Sequence, residues 1–192
     1  MASAAGSYAL EARALNESDE DWIQRFAAGE EWWSHEVTDF LRNEALEQGK
    51  QGLNVTNLFS FPGFREIVGF CTTAVGSVPA AVLDEVLSLP PGVPARVPAV
   101  LIAYMAVARP YRRVGHFGQE MHLQLLEGVA ASSSWAVARV IYLECWEENE
   151  AGIAFWQRMG YVQFHRLPAP RPDTGATASL VRMVYDRFAI RP

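Results

Sequence analysis

Cysteine is scarce in this chain. Cys71 and Cys145 are the two cysteines among 192 residues, and each lies inside an apolar, strand-like stretch. Small domains that depend on disulfide bonds carry many more cysteines than this. The sequence therefore predicts two buried, reduced thiols and excludes a disulfide-stapled fold.

Long apolar runs are also missing. The longest run, 97–108, contains Pro98 and Tyr104, and it is much shorter than the roughly 20 apolar residues that span a bilayer. The first residues, MASAAGSYALEAR, lack the basic segment and apolar stretch of a secretory leader. We therefore expect a cytoplasmic protein with no membrane partner.

Positive charge is in deficit. The chain has 16 lysines and arginines against 22 acidic residues, a net charge of −6 and an isoelectric point near 5.2. A nucleic-acid partner would need a local basic patch to overcome this repulsion. Half of the residues are apolar, which suits one sizeable core, so we predict a single domain over 1–192.

Hydrophobic periodicity predicts alternating helices and strands. A capping box of Ser18 and Asp21 opens the first helix, which ends near Gly29. Strands are predicted at 7–15, 53–61, 66–75, 97–107, 137–146, 161–167 and 178–188, and further helices at 33–50, 78–89, 118–130 and 149–159. The strands at 53–61 and 66–75 form a hairpin, and the last two strands pair antiparallel. Strands separated by helices imply an α/β fold with a mixed, partly parallel sheet flanked by helices.

The segment YRRVGHFGQE, 111–120, follows a strand and opens a helix. The backbone N–H groups of a helix N-terminus are unpaired, and they attract phosphate. Gly115 and Gly118 allow a phosphate to approach the main chain, while Arg112 and Arg113 supply charged donors. The segment thus favours a pyrophosphate site over its alternative, an ordinary loop with turn glycines and solvated arginines.

A second motif begins at Asn149. Gly152, Phe155 and the Gly160–Tyr161 pair follow it at fixed spacing. Asn149 either caps the helix or directs its amide at an extended ligand.

These two segments resemble the cofactor motifs of the GCN5-related N-acetyltransferases. The first family motif is Gln/Arg-x-x-Gly-x-Gly/Ala, and the second is Asn-x-x-Ala/Gly-x-x-Phe/Leu-Tyr-x-x-x-Gly-Phe. The stretches 33–59, 67–83 and 97–107 are similar to the branch that includes the toxin acetyltransferases of toxin–antitoxin pairs. The resemblance covers roughly 30–165.

The resemblance implies a sheet whose central strands splay apart to form a cleft for acetyl-CoA. Main-chain groups near Ala106 and Val107 would pair with the pantetheine arm, and 112–119 would cradle the pyrophosphate. An acceptor would bind between 22–50 and 165–178. The implied cofactor residues are Ala106, Val107, Arg112, Arg113, Val114, Gly115, His116, Phe117, Gly118, Gln119, Asn149, Gly152, Phe155 and Trp156; no metal is expected.

Two positions depart from the family pattern. No single register places both Gly115 and Gly118 on the motif, so we predict an altered loop path. Trp156 stands where the family has the tyrosine that protonates the departing thiolate, and an indole N–H is a donor but not a useful acid.

Catalysis by such an enzyme needs a base for the acceptor amine. Glu144 and Tyr104 are the candidates, although for Glu144 a solvated or ion-paired carboxylate is the favoured interpretation. Cys145 is a weaker candidate, as a nucleophile. His116 and His122 are predicted on the loop and helix surface.

Three functions remain open. The leading one is an acetyl-CoA-dependent N-acetyltransferase acting on a small-molecule or protein amine. The second is a toxin-type enzyme that acetylates aminoacyl-tRNA, with an antitoxin partner. The third is an acyl-CoA-binding sensor without turnover. A homodimer is possible. Six arginines could form a basic rim for tRNA: Arg109, Arg112, Arg113, Arg158, Arg166 and Arg171.

Overall fold

One mixed sheet of seven strands organises the computed structural model, which describes residues 9–132 and 137–188. The strands are β1 Glu11–Ala14, β2 Val55–Ser60, β3 Gly69–Pro79, β4 Arg96–Val107, β5 Val140–Trp146, β6 Val162–Pro170 and β7 Thr177–Asp186. The helices are α1 Glu20–Arg25, α2 Trp32–Asn43, α3 Ala45–Lys50, α4 Ala80–Asp84, α5 Phe117–Ala131 and α6 Glu150–Arg158. Short 3-10 turns precede α1 and follow β4.

The strand order is β1-β2-β3-β4-β5-β7-β6. Within the described residues, β4 and β5 form the one parallel pair, and all the other neighbours are antiparallel. The parallel register runs from Ala99 opposite Val140 to Ile102 opposite Leu143 and stops there. Beyond it, β4 pairs with β3 and β5 pairs with β7. The predicted mixed sheet with splayed central strands is confirmed.

A β-bulge lies at the point of divergence. Thr72 of β3 pairs with Tyr104 and Thr73 with Ile102, so Ala103 is the extra residue of β4. A bulge bends its strand and increases the local twist. Because the bulge follows the last parallel pair directly, it turns the end of β4 away from β5.

The two faces of the sheet are covered by different helices. Against one face, α5 and α6 place Met121 and Trp156 beside Ile141 and Leu143. Against the other face, α1 and α2 place Ile23, Phe26, Phe40 and Leu41 beside Leu58 and Phe70. The end of the splayed β4 contributes to both cores, with Met105 and Val107 on the first face and Tyr104 and Ala106 on the second.

Most predicted elements are present, with shifted ends. The predicted first strand begins outside the described residues and is observed at Glu11–Ala14. The capping box was placed wrongly: Asn16 is the cap and Asp19 its partner, because the amide of Asn16 accepts from the Ser18 N–H. The predicted helix 33–50 is divided at Glu44 into α2 and α3.

Both cysteines are buried and free of disulfide bonds, as predicted. Burial raises the pKa of each thiol to about 12. Across 9–132 and 137–188, no helix has the length and apolar character needed to cross a membrane.

The contact between α5 and β3 tests this packing. A Cβ on Gly69 would lie 2.6 Å from Met121 Sδ and 2.7 Å from the main-chain oxygen of Ala106. Overpacking of this kind costs about 1–3 kcal/mol, so Gly69→Ala should lower the free energy of unfolding by that amount in urea titrations.

The matched control is Gly128→Ala on the exposed side of α5, where an added Cβ has no neighbour within 4 Å. Alanine is favoured over glycine in a helix by about 1 kcal/mol, so this variant should be more stable than the wild type. Equal stability of the two variants would contradict the described contact.

Candidate active site

A cleft of about 640 Å³ lies where β4 and β5 diverge. The segment 111–119, the start of α6 and one side of α2 form its walls. It brings together all the predicted cofactor residues except Val114, which is 59% exposed and lies outside the lining. The residues of that set that line the cleft are Ala106, Val107, Arg112, Arg113, Gly115, His116, Phe117, Gly118, Gln119, Asn149, Gly152, Phe155 and Trp156.

The loop before α5 has the backbone of an anion site. Arg113 and Gly115 adopt positive φ angles of 62° and 73°, and such turns direct successive N–H groups into a concavity. His116 caps α5 without a side-chain hydrogen bond, and Glu120 is the first residue whose N–H bonds back, to the His116 oxygen. The N–H groups of Phe117, Gly118 and Gln119 are therefore the unpaired first-turn donors that attract anions.

The two glycines of this loop have different structural roles. Gly115 supplies a left-handed conformation that side chains disfavour. Gly118 lies where a Cβ would be 3.3 Å from the ring of Phe155, so it allows α5 and α6 to approach closely. Arg113 also adopts a left-handed backbone conformation in this loop, although it is not a glycine.

Arg112 joins this loop to α2. Its Nη1 lies 3.2 Å from Glu31 Oε2, and its Nη2 donates to Ser34 Oγ at 3.0 Å. The backbone N–H of Glu31 and the Ser34 hydroxyl, together with Arg112, lower the pKa of the Glu31 carboxyl. The loop is thus fixed to the helix that also borders the opposite face of the sheet.

Asn149 is a helix cap. Its Oδ1 accepts from the Gly152 N–H at 3.0 Å, which confirms one of its two predicted roles. A Cβ on Gly152 would lie 2.6 Å from Asn149 Nδ2, so the motif glycine is required beside the cap.

Trp156 borders both the cleft and the core. It is 8% exposed and packs edge-on against His122 and Tyr161, with ring centroids 5.8 and 5.0 Å away. His122 is 2% exposed, and its Nε2 lies 3.2 Å from the Tyr161 hydroxyl, so the predicted surface position of His122 was wrong. His116 is exposed as predicted.

The predicted catalytic residues differ in their surroundings. Glu144 accepts from Arg182 Nε at 2.7 Å, which is the ion-paired carboxylate that the sequence favoured. The ring of Tyr104 stacks on Phe40 at 3.8 Å. Burial, with the charges of Glu36 and Glu44, raises the Tyr104 pKa, so this phenol stays protonated at neutral pH and no phenolate is available as a base. The raised pKa of Cys145 disfavours a thiolate nucleophile.

Sequence reasoning did not find Glu36. Its Oε2 accepts from the indole Nε1 of Trp146 at 2.7 Å, and burial raises the pKa of its carboxyl. The rings of Trp32 and Trp146 meet at 4.7 Å, and the Arg171 guanidinium lies 4.3 Å over Trp32. The available signal was helical spacing, because Glu36 lies one turn from both Trp32 and Phe40 on α2.

The predicted basic rim is largely neutralised. Four of its six arginines are paired with carboxylates: Arg109 with Glu30, Arg112 with Glu31, Arg166 with Glu147, and Arg171 with Glu148 and Asp173. Arg113 and Arg158 are exposed beside the cleft, and within the described ranges no ion pair is found for either.

The three tryptophans of the first helices, Trp22, Trp32 and Trp33, are half-buried, and Trp33 lines the cleft. Trp22 packs against the core under α1 and α2, beneath the Arg25 guanidinium.

Solved structures share this fold. The toxin AtaT in complex with acetyl-methionyl-tRNAfMet aligns with a TM-score of 0.66 at 17% identity, over 88% of this chain and 93% of that one. Arabidopsis thaliana NAA60 with acetyl-CoA gives 0.63 at 20%, over 94% and 99%. A point mutant of AtaT bound to the C-terminus of the antitoxin AtaR and acetyl-CoA gives 0.63 at 15%, over 93% of each chain.

No protein-family profile matches this chain, and no curated protein does. The structural likeness establishes the fold. The chain has the fold of the GCN5-related N-acetyltransferases, as the resemblance implied.

Two Asn149 variants test the helix cap. Asn149→Ala removes the acceptor for the Gly152 N–H, so it should lower the free energy of unfolding by about 1 kcal/mol. Asn149→Asp keeps that acceptor and should keep the stability. Urea titration measures both, and an unchanged stability of the alanine variant would contradict the cap.

Proposed function

We propose that this protein is an acetyl-CoA-dependent N-acetyltransferase that acetylates a primary amine of a small molecule or a protein. The observation that carries the proposal is the cleft itself. Residues from two motifs about thirty positions apart in the sequence line one cavity, at the point where the parallel strands separate.

The anion-binding loop supports the cofactor assignment. First-turn N–H groups of α5 and the left-handed turns at Arg113 and Gly115 suit a pyrophosphate. Arg113 is exposed on the same loop and would add a charged donor. The NAA60 and mutant AtaT structures, which contain acetyl-CoA, have the same fold.

The open edge of β4 supports the assignment of the pantetheine arm. After Ile102, β4 pairs only with β3 within the described ranges. Within that part of the chain, the main-chain N–H and C=O groups of Ala106 and Val107 on the side facing β5 therefore have no hydrogen-bond partner from a neighbouring strand. Main-chain polar groups that are shielded from water need such a partner. The amides of pantetheine are suitable partners, and bound acetyl-CoA would supply a reactive thioester carbonyl.

Trp156 removes one catalytic contribution without removing the site. A proton transfer from a positioned acid contributes about 10²–10⁴-fold, and water can protonate the departing thiolate instead. An acyl-CoA sensor without turnover is therefore the weaker proposal. It would bind acetyl-CoA and release no thiol with any amine.

Acetylation of aminoacyl-tRNA is the second candidate. AtaT, of similar fold, was solved with acetyl-methionyl-tRNAfMet, and Arg113 and Arg158 are exposed beside the cleft here. Four rim arginines are neutralised by carboxylates, and the net charge is −6, so small amines and proteins are the favoured acceptors. Aminoacyl-tRNA belongs in the acceptor screen, at low and high salt.

Gly115→Glu tests the cofactor site. The new carboxylate would lie next to the pyrophosphate and weaken binding by about the free energy of one charged hydrogen bond. The affinity for acetyl-CoA should therefore fall about 10–100-fold in calorimetric titration. Wild-type protein should bind acetyl-CoA and release free thiol with an amine acceptor.

Gly92→Glu is the matched control. Gly92 also has a positive φ, of 81°, and lies in a turn outside the cleft lining. The Gly92→Glu substitution adds the same charge and a similar backbone strain as Gly115→Glu. Because it lies outside the cleft lining, it should leave the affinity for acetyl-CoA unchanged. Equal loss in both variants, or no binding by the wild type, would refute the proposed function.

A further inference from the structure

Glu36 is bonded to one of the two strands that diverge and acts electrostatically on the other. Its carboxylate accepts from the indole of Trp146, the last residue of β5. The same charge acts on the phenol of Tyr104, just after the bulge of β4. Both interactions lie on the α2 face, whereas the predicted cofactor loop opens α5 on the other face. Glu36 therefore reaches the narrow end of the splay from the side opposite the phosphate loop.

The carboxylate of Glu36 lacks a compensating cation within the described part of the chain. The indole N–H of Trp146, on β5, donates a hydrogen bond to this carboxylate. Burial raises the pKa of the carboxyl. From β4 it faces the neutral phenol of Tyr104. Arg171, from the β6–β7 loop, lies over the ring of Trp32 and is paired with Asp173 and Glu148.

Trp32 and Trp146 provide aromatic surface next to this carboxylate. The faces of indole rings attract organic cations, and the guanidinium of Arg171 already lies over the ring of Trp32. A half-buried carboxylate beside aromatic rings, with no cation of its own, is a site for a positively charged amine.

We propose that Glu36 binds the alkylammonium group of the acceptor and takes its proton before acetyl transfer. The inference rests on the proposed function and names its acceptor class, a primary alkylamine that is protonated at neutral pH. The elevated pKa suits the task, because a base works best when its pKa approaches the working pH.

The proton balance is simple. Glu36 receives one proton from the ammonium; the free amine then forms the C–N bond as the C–S bond of the thioester breaks, and the second nitrogen proton leaves with the thiolate. The products are the acetamide, free coenzyme A and one proton, which Glu36 returns to solvent. No oxidant or further reactant is required.

The surroundings favour Glu36 over both bases predicted from sequence. Arg182 contacts Glu144 with both Nε and Nη2, so that carboxylate already has its cation. Tyr104 would have to ionise against two nearby carboxylates.

The decisive experiment compares two acceptor classes in Glu36→Gln, which keeps an oxygen for the Trp146 indole. The alkylamine panel is phenethylamine, spermidine and tripeptides with free N-termini, and the arylamine is aniline, which is already neutral at pH 7. Thiol release from acetyl-CoA is measured. We expect transfer to the best alkylamine to fall about 10²–10³-fold and transfer to aniline to change less than about threefold.

Two further measurements separate a base from a structural residue. In the wild type, kcat/KM for the alkylamine should fall as pH drops through the Glu36 pKa, and this limb should vanish in the variant. Folding raises the pKa of the Glu36 carboxyl. Its contribution to the stability of the fold is therefore fully present below the pKa that the carboxyl has in the unfolded chain, and it is lost as the pH rises through the pKa in the folded protein. At pH 8, therefore, Glu36→Gln should have an unchanged or higher Tm, because it removes a desolvated charge.

Asp39→Asn, on the exposed side of α2, is the control and should retain wild-type rates. Glu36→Gln with wild-type alkylamine rates, or with equal losses for both amine classes, overturns the inference while the proposed function stands. A wild type that binds acetyl-CoA but acetylates no panel alkylamine also overturns it. A wild type that does not bind acetyl-CoA refutes the proposed function itself.

Discussion

The divergence of β4 from β5 is the constraint on which the rest of the site depends. Parallel strands normally share hydrogen bonds along their length, yet this pair separates after Ile102 and Leu143. The bulge at Ala103 provides the mechanical cause, because an extra residue bends and twists its strand. The separation leaves a strand edge inside the molecule and opens the cavity that α5, α6 and α2 border.

The helix α2 serves both sides of that opening. Trp33 and Ser34 border the cleft, and Ser34 holds the guanidinium of Arg112. Trp32 and Glu36 face the end of β5 instead. Neighbouring residues of α2 thus lie at the proposed cofactor site and at the proposed acceptor site. The ion pair of Arg112 with Glu31 holds the cofactor loop against this helix, and it therefore fixes the two sites relative to each other.

The sequence predicted those parts of the site that are contiguous in the chain. The loop 112–119 and the Asn149 motif are each short, and glycines mark them where backbone conformation or close packing requires one. The element order and the hairpins followed from periodicity. The bulge was not predictable, because LIAYMAV contains no glycine or break in apolar character. Glu36 was missed because its neighbours, Trp146 and Tyr104, lie far away in sequence and meet it only through the fold.

Proton chemistry explains why a tryptophan is tolerable at position 156. An alkylammonium has a pKa of about 10.4, so freeing the amine at pH 7 costs about 5 kcal/mol; a thiol has a pKa of about 8.5, so the corresponding thiolate is only about 2 kcal/mol uphill. In the proposed reaction, freeing the amine is therefore the more costly of the two proton transfers. Trp156 instead packs against Phe155, His122 and Tyr161. If the proposed reaction takes place, this position would lack only the acid for the less costly proton transfer, and Trp156 fills the space between the core and the cleft.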